Sequence, residues 1–382
     1  MYQLSFSLDT FMQEFWQKKP TIIKGGFANF HDPISPDELA GLSLEEDVDS
    51  RFVSNLNDNW QAEHGPFAED KFSQVGESHW SLIVQAANHW VPEVDQMRHA
   101  FSQIPNWLFD DVMISFATEN GGVGPHIDQY DVFICQGMGK RHWQVGALDE
   151  GQYQENHRTP ALRQIEGFEP ILDDVLEAGD ILYIPAGFPH HGYALEPSLS
   201  YSMGYRSPKS QELLSNFADF VLAHDRGDVH MHQPDQALQQ NPGALGHTDM
   251  QVLSQMLKSD LQDEAFINKF LGCMLSQSRH QLSIIPAEEN WTRDDLMQHI
   301  QTGEPIEKVL GLRCFYHQDT PQTLYINGEI FHLEEELAFM TDRLANQNQL
   351  TATDLAQLTD KPECLDFICQ LLDKGYWYID EV

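Results

Sequence analysis

The first hundred residues combine amphipathic helical segments with short apolar strands. Thr10 and Gln13 can form a capping box at the start of an amphipathic helix, which Pro20 is expected to end. A strand is predicted over residues 21–24, where a Gly-Gly pair follows. A second helix should begin at Ser35, because a proline at the first helical position and a glutamate at the third follow it.

From residue 111 to about residue 205, short strands rich in β-branched and aromatic residues are broken by glycine and proline. The clearest of these strands lie at 112–117, 131–135, 142–145, 181–184 and 199–205. Several short strands separated by turn residues indicate a β-sandwich or a barrel. With helices on both sides of this region, the pattern predicts an α+β protein with a β-rich centre.

A helical pattern replaces the strands after residue 208. One predicted helix has an apolar stripe formed by Leu213, Leu214, Phe217, Phe220 and Val221. Such a stripe can form an interface between subunits, although amphipathic stripes more often pack within their own domain. A polar stretch over 227–247 is interpreted as a linker or mobile loop. Helices continue to about residue 278, and a mixed tail follows with a predicted strand pair at 314–315 and 324–326.

Composition limits the partners of the protein. The length of 382 residues allows two or three domains, and a hydrophobic fraction of 41% is enough for a packed core. Twenty-two basic side chains stand against 59 acidic ones, which gives a net charge of −37. This charge argues against nucleic acid or an anionic membrane as a direct partner and favours a cationic one, although many soluble proteins are acidic without such a partner.

The cysteines and the apolar runs indicate a cellular location. Five cysteines at irregular spacing include no C-x-x-C pair, which fits a reducing compartment better than a disulfide framework or a zinc ribbon. No charged and then apolar leader follows Met1, and no apolar run approaches the roughly 18 residues that a membrane span needs. We therefore expect a cytoplasmic protein without a membrane segment.

One histidine motif stands out by its context. His-x-Asp or His-x-Glu occurs four times, close to the number that chance gives in a chain with 18 histidines. Only His126-x-Asp128 lies in the β-rich region, after the glycine-rich segment 121–125. Residues i and i+2 of a strand face the same way, so this imidazole and this carboxylate converge. A distant strand should supply the second histidine of a two-histidine, one-carboxylate site, and His190 follows the predicted strand 181–184 and a turn.

Three patterns occur together in the β-rich region: His126-x-Asp128, a Gly-x-x-x-x-x-Trp pattern over 137–143, and a Gly-Asp-x-Leu-Tyr-Ile-Pro-x-Gly-x-x-His segment that ends at His190. Together they resemble a JmjC-type cupin, the fold of iron(II)- and 2-oxoglutarate-dependent oxygenases. The segments 14–20 and 125–137 and the helical, winged-helix-like tail are similar to the bacterial ribosomal oxygenases, so the resemblance covers essentially the whole chain. It implies a double-stranded β-helix, or jelly-roll cupin, within an α+β chain.

The resemblance also implies a domain order and an activity. A JmjC/cupin catalytic domain with amino-terminal helices would occupy 1–207, a helical dimerisation domain 208–280 and a winged-helix-like domain 281–382. The implied reaction is hydroxylation, at C3, of an arginine side chain in a large-subunit (50S) ribosomal protein, number sixteen in the bacterial series. Fe(II) would be the metal, with 2-oxoglutarate and O2 as cosubstrates.

The implied protein is a cytoplasmic homodimer that acts on a basic ribosomal protein and binds neither nucleic acid nor a membrane directly. Alternatives are an oxygenase that acts on another protein or a small molecule, and a JmjC module that binds a partner without catalysis. His126, Asp128 and His190 match the iron ligands of the family. His191 competes with His190, and strand alternation lets only one of them point inward.

The family also has a basic residue that pairs with the distal carboxylate of 2-oxoglutarate, and Arg141 matches it. A guanidinium suits this role because its planar fork can hold a carboxylate bidentately. Lys140 is the alternative, but adjacent residues of a strand face opposite sides. Ser200 stands where close relatives have an asparagine beside the cosubstrate, and its hydroxyl could still form a hydrogen bond there.

An arginine substrate needs carboxylates and aromatic surface to guide it. Glu119, Tyr130 and Asp131 lie next to the metal motif and are candidates, although each could be an ordinary loop or strand residue. His230 and His232 could chelate a metal, but their polar loop favours solvated surface. The acidic chain should attract a basic ribosomal protein and be repelled by ribosomal RNA, so we expect the free or nascent protein as the substrate.

Overall fold

A computed structural model describes residues 2–156, 162–238, 240–334 and 337–379, apart from the side chain of residue 58. The amino-terminal elements alternate between strands and helices. In chain order they are β1 (Gln3–Leu4), α1 (Leu8–Glu14), β2 (Thr21–Ile23), β3 (Phe27–Ala28), α2 (Pro36–Leu42), β4 (Ser50–Ser54), β5 (Gln61–His64), α3 (Lys71–Gln74), β6 (Trp80–Val84) and α4 (Pro92–Arg98).

Helix α1 begins earlier than the sequence pattern predicts. The Ser7 hydroxyl oxygen accepts a hydrogen bond of 3.3 Å from the backbone N–H of Thr10, so Ser7 is the N-cap and the predicted capping box at Thr10 is wrong. The helix ends at Glu14, and Gln17 then takes a left-handed conformation with φ of 54°, which a right-handed helix cannot continue. The capping box predicted for α2 is confirmed.

Eight further strands form the centre of the molecule. They are β7 (Phe109–Ala117), β8 (His126–Ile127), β9 (Asp131–Gln136), β10 (Arg141–Gly146), β11 (Pro170–Leu176), β12 (Ile181–Ile184), β13 (Pro189–Ala194) and β14 (Ser198–Tyr205). They contribute to a large sheet in the order β2-β12-β9-β14-β7-β6-β4-β5 and to a small sheet in the order β11-β10-β13-β8. The five predicted strands of this region are confirmed, and the two sheets face each other as the predicted double-stranded β-helix.

Side chains alternate between the two faces of the large sheet. Ile134 and Leu182 point inward and belong to a small core with Trp143 of the small sheet. Phe133 and Tyr183, one residue away on the same strands, point outward into the main hydrophobic core, which α1 and its neighbours cover. The space between the sheets is therefore separate from the main core.

The carboxyl-terminal part is mostly helical and then mixed. Its elements are α5 (Ser210–Ala223), α6 (His247–Ser259), α7 (Glu264–Ser276), α8 (Arg293–Thr302), β15 (Ile306–Lys308), β16 (Cys314–His317), β17 (Thr320–Ile326), β18 (Glu329–His332), α9 (Ala338–Asn346), β19 (Gln349–Leu350), α10 (Ala352–Ala356), α11 (Pro362–Asp373) and β20 (Trp377–Tyr378). The predicted strand pair is confirmed, since β16 and β17 are antiparallel neighbours. No helix in the described ranges is both long and apolar enough to cross a bilayer.

The apolar stripe predicted on α5 divides between two environments. Phe217 packs against Phe266 and Phe270 of α7, with ring centroids 5.9 Å and 5.2 Å apart. Leu214 of the predicted stripe, and Leu222 outside it, do not belong to this cluster and are 58% and 72% exposed. One side of α5 therefore packs in the core of this region, and the other side exposes apolar side chains to solvent. The described residues of the following segment, 226–238 and 240–246, form no helix or strand, in keeping with a linker.

Candidate metal centre

Two paired strands of the small sheet bring the predicted metal ligands together. His126 on β8 and His190 on β13 are directly opposite each other in the register, and Asp128 follows the end of β8. The Asp128 Oδ2 lies 3.8 Å from Nε2 of His126 and 3.6 Å from Nε2 of His190. All three ligand atoms lie within 4.8 Å of one another, so a single divalent metal could bind between them.

Backbone carbonyls fix the orientation of both imidazoles. Nδ1 of His126 donates to the carbonyl of Gly124 at 2.9 Å, and Nδ1 of His190 donates to the carbonyl of Phe188 at 3.1 Å. Because each Nδ1 bears the proton, each Nε2 lone pair is free to bind a metal. Burial, with the nearby His126 ring, lowers the pKa of His190 to about 4, so the ring is neutral at pH 7, as a metal ligand must be.

Strand alternation separates the two adjacent histidines. His190 is 2% exposed and belongs to the cluster with His126 and Asp128. His191 is half-buried on the opposite face of β13, where its ring centroid lies 5.6 Å from that of Tyr193. The structure therefore brings His190 rather than His191 to the other two candidate ligands.

Tyr130 lies directly against the cluster. Burial, together with the negative charge of Asp128, raises the pKa of Tyr130. Tyr130 is thus in reach of a group bound at the cluster, while a contact with a substrate stays a prediction.

Arg141 is buried on the inner face of β10, with 5% exposure. It donates to the hydroxyls of Ser198 and Ser115 at 2.9 Å and 3.1 Å and to their backbone carbonyls at 3.0 Å and 2.6 Å. Within the described residues, no carboxylate forms an ion pair with it, and burial lowers the pKa of Arg141 to about 9. Lys140 points to solvent and pairs with Glu177 at 2.5 Å, as alternation predicts.

The register of the small sheet places Arg141 and the metal cluster on one face. Val145 is opposite His190, and Arg141 lies four residues earlier on the same strand. With a rise of about 3.3 Å per residue, the two backbone positions are about 13 Å apart. Trp143 lies between them on the same face, and its ring centroid is 6.3 Å from that of His190.

Sequence reasoning missed two polar groups near this space. Nε1 of Trp143 and Oε1 of Gln136 are buried and have no hydrogen-bond partner among the described residues. Buried polar atoms are nearly always hydrogen-bonded, so these two atoms indicate room for a polar ligand or water. The spacing of Trp143 from Arg141 could have identified it, because residues two apart in a strand share a face.

Ser200 lies in the wall beside Arg141. It is 1% exposed on β14, and the register pairs it with Ser115 on β7 and Gln136 on β9. The Ser115 hydroxyl binds Arg141, so Ser200 lies next to a direct partner of the guanidinium. Its contact with a cosubstrate stays a prediction.

The two other candidates for substrate contact lie elsewhere. Asp131 is 3% exposed on the outer face of β9, where its carboxylate accepts hydrogen bonds from the Tyr183 hydroxyl at 2.7 Å and the Gln17 amide at 3.1 Å. Glu119 is exposed, and its carbonyl accepts the N–H of His79 at 2.8 Å. The structure brings neither into the metal cluster, and their contact with a substrate stays a prediction.

His230 and His232 are exposed in the segment after α5. They belong to neither of the two groups with metal-ligand spacing in the described part of the chain. The second group consists of Asp110, Asp111 and His280. Arg279 already pairs with Asp110 at 2.5 Å, so the group containing His126 is the better candidate for a metal.

Comparison with known proteins gives the family. Residues 96–213 match the JmjC domain family, and residues 259–378 match the ROXA-like winged helix family. The ribosomal protein uL16 3-hydroxylase of Escherichia coli (strain K12) is 41% identical over 379 residues, which cover 99% of both chains. A probable ribosomal oxygenase of Haemophilus influenzae is 31% identical, over 97% of this chain and 96% of the relative.

The structure of the Escherichia coli ribosomal oxygenase YcfD in complex with cobalt and 2-oxoglutarate is 40% identical, covers all of both chains and superposes with a TM-score of 0.91. The chain belongs to the JmjC-domain ribosomal oxygenases.

Proposed function

We propose that the protein is an iron(II)- and 2-oxoglutarate-dependent oxygenase that hydroxylates C3 of an arginine side chain in ribosomal protein uL16. The observation that carries the proposal is the placement of a metal-ligand triad and the unpaired, buried Arg141 on one inner face. The name of the Escherichia coli relative supports the substrate class, and the cobalt and 2-oxoglutarate complex of YcfD supports the cofactor class.

His126, Asp128 and His190 would hold the iron. Bound iron(II) would supply O2 activation coupled to oxidative decarboxylation of 2-oxoglutarate, which ends in hydroxylation of a C–H bond. The chain contributes two imidazoles whose Nε2 atoms are free and the Asp128 carboxylate, with the Tyr130 phenol beside it. Three protein ligands leave the remaining coordination positions for cosubstrates.

Arg141 would bind the distal carboxylate of 2-oxoglutarate. That carboxylate would neutralise a charge that burial leaves without a counterion, and a guanidinium can hold it through two parallel hydrogen bonds. Trp143 Nε1 is a further free donor between Arg141 and the metal cluster, and Ser200 lies beside the guanidinium. Apolar side chains from both sheets surround the space and exclude water, which strengthens these interactions.

The charge of the chain supports a free basic protein as the substrate. The region 281–382 contains six basic and nineteen acidic residues, which disfavours a nucleic-acid-binding wing. Glu119 and Tyr130 are the accessible candidates for guiding an arginine toward the metal. Hydroxylation of isolated uL16 should be faster than that of intact large subunits, and equal rates on both would contradict the preference.

The exposed apolar residues of the helical region support a homodimer. Met250, Leu253 and Leu257 recur at helical spacing on α6 and are 47%, 43% and 80% exposed, so they form an apolar stripe without a partner in the described chain. We assign this stripe to the dimer interface and keep 1–207, 208–280 and 281–382 as the proposed domains. Leu253→Glu with Leu257→Glu should convert a dimer into a monomer in light scattering, and Gln255→Glu should not. A monomeric wild-type protein at micromolar concentration would contradict the interface.

One assay tests the proposed function. The purified protein is incubated with Fe(II), 2-oxoglutarate and a uL16 peptide that contains arginine, and succinate and peptide mass are followed together. We expect succinate and a mass gain of one oxygen on arginine. Succinate without the mass gain would indicate another substrate, and the absence of both would indicate a binding module.

A further inference from the structure

A small cavity lies between the catalytic β-sheets and the carboxyl-terminal wing. Its volume is about 50 Å³. Asn88 and Arg98 line it from the amino-terminal part, and Lys308, Arg313 and Asn348 line it from the wing. About 10–15 Å³ of such space holds one water, so the cavity has room for a few waters or one small ion.

The charge around this cavity differs from that of the whole chain. Only 22 of the 382 residues are basic, yet three basic side chains line this one space. Two carboxylates also line it, and each has a cation of its own: Asp95 pairs with Arg98 at 2.6 Å, and Asp110 pairs with Arg279 at 2.5 Å. His89 adds no charge at pH 7, since burial lowers its pKa to about 4.

The remaining two cations have no ion-pair partner in the described part of the chain. Lys308 is 6% exposed and donates a hydrogen bond to the carbonyl of Leu344 at 3.2 Å. Arg313 donates from Nη2 to the carbonyl of Trp107 at 2.6 Å, whereas its buried Nε has no acceptor. Asp110 acts on Arg313 only from beyond ion-pair distance. Lys308 is buried and Arg313 is half-buried, and a cation held in such a place without a counterion is costly, so an anion in the cavity would be favoured.

A neutral donor without a partner lines the same cavity. Asn88 is 1% exposed, and its Oδ1 accepts the backbone N–H of Val112 at 2.7 Å, which fixes the orientation of the amide. Its Nδ2 is buried and has no acceptor among the described residues. Two residues that line the cavity therefore have an unsatisfied donor: Asn88 in the amino-terminal part and Arg313 in the wing, on the two sides of the junction between these parts.

We propose that this cavity binds one small monovalent anion, of the size of chloride or bicarbonate, through Lys308, Arg313 and Asn88. The anion supplies the missing counter-charge and accepts the free N–H groups at the same time. Because its ligands come from both sides of the junction, binding holds the wing on the catalytic part.

Thermal unfolding of the full-length protein at constant ionic strength tests the proposal. Sodium gluconate is replaced stepwise by sodium chloride, because gluconate is too large for the cavity. An anion that binds only the folded state stabilises it, and we expect a saturable rise in Tm of about 1–3 °C. A parallel titration with sodium bicarbonate shows which of the two anions is preferred. Equal Tm values in all three salts would overturn the proposal.

Variants separate a bound anion from a general salt effect. Asn88→Asp keeps the acceptor for Val112 and places a carboxylate in the cavity, so it should lose the response to chloride and be at least as stable as wild type in gluconate. Lys308→Met should also lose the response, whereas Lys18→Met, at an exposed lysine, should keep it. A full chloride response in Asn88→Asp would overturn the proposal even if Lys308→Met does not fold.

Crystals of the full-length protein soaked in sodium bromide provide a direct view. We expect an anomalous peak between Lys308, Arg313 and Asn88, and none at this position in Asn88→Asp. Water alone in the wild-type cavity at a high bromide concentration would contradict the proposed site.

Discussion

The two faces of β10 differ in how their polar side chains are satisfied. On the outer face, His142 hydrogen-bonds Asp173, and Gln144 donates to the same carboxylate at 2.8 Å. On the inner face, Arg141 lacks a counterion and Trp143 Nε1 lacks an acceptor among the described residues. Since the metal-ligand triad shares the inner face, unpaired polar groups there indicate a ligand, and paired ones outside indicate support of the fold. Substitutions on the two faces should therefore separate binding from stability.

The largest effect is expected at the metal ligands. His126→Ala should lower the affinity for Fe(II) by more than about 100-fold and should abolish hydroxylation. Substitution of a residue that only hydrogen-bonds a metal ligand can already cost up to about 100-fold in metal affinity, so loss of a ligand itself should cost more. The folded state should persist, because His126 is partly exposed. Calorimetric metal titration and circular dichroism measure the two properties. Retained metal affinity would contradict the ligand assignment.

Arg141→Met should weaken 2-oxoglutarate binding by about 30-fold or more, because it removes one partner of a buried charge pair. Without the cosubstrate, the change in stability should be small, because the loss of an uncompensated buried charge offsets the loss of the hydrogen bonds from Arg141 to Ser115 and Ser198. Lys140→Met is the matched control and should leave binding unchanged. Isothermal titration and thermal unfolding distinguish these outcomes. If Arg141→Met were less stable but bound 2-oxoglutarate normally, Arg141 would support the fold rather than bind the cosubstrate. That result would contradict the assignment of the inner face to ligand binding.

The opposite pattern is expected for Asp131→Asn on the outer face of β9. An asparagine has one acceptor oxygen, so its NH2 group would face one of the two donors that now bind the carboxylate, Tyr183 or Gln17. The lost hydrogen bond should lower the free energy of unfolding by about 1–3 kcal/mol. Affinity for 2-oxoglutarate should not change. Urea unfolding measures the loss, with Glu119→Gln as an exposed control. A change in this affinity without a change in stability would place Asp131 in the 2-oxoglutarate site.

Trp143→Phe should give the smallest effect. It keeps an aromatic ring and removes the unpartnered N–H, so affinity for 2-oxoglutarate should fall by about 5- to 10-fold, the value of one hydrogen bond. Thermal stability should stay the same or rise, because a buried unsatisfied donor disappears. Unchanged affinity would show that the indole N–H binds only water.

The metal ligands could be predicted because short-range rules apply to them. His126 and Asp128 are two residues apart, and the pairing of β8 with β13 brings His190 opposite. Alternation also predicted that only one of Arg141 and Lys140 points inward, and the family resemblance selected Arg141, which is the buried one. Strand periodicity is the physical basis in each case.

Alternation does not extend across a turn, and Asp131 shows the consequence. A bend at residues 129–130 separates it from Asp128, so two carboxylates three residues apart face different environments. The N-cap of α1 was missed for a similar reason, since Ser7 and Thr10 are both good capping residues and only the backbone decides between them. The cavity of Asn88 and Lys308 combines positions 220 residues apart, for which no local pattern exists.

The most direct measurement follows succinate formation and arginine hydroxylation on a uL16 peptide in wild type, Arg141→Met and Lys140→Met, with subsaturating 2-oxoglutarate. Wild type and Lys140→Met should form one succinate for each oxygen added to arginine. Arg141→Met should lose both products together and regain them in part at high 2-oxoglutarate. Full activity of Arg141→Met at low 2-oxoglutarate, or an unmodified arginine in wild type, would contradict the proposed inner-face site.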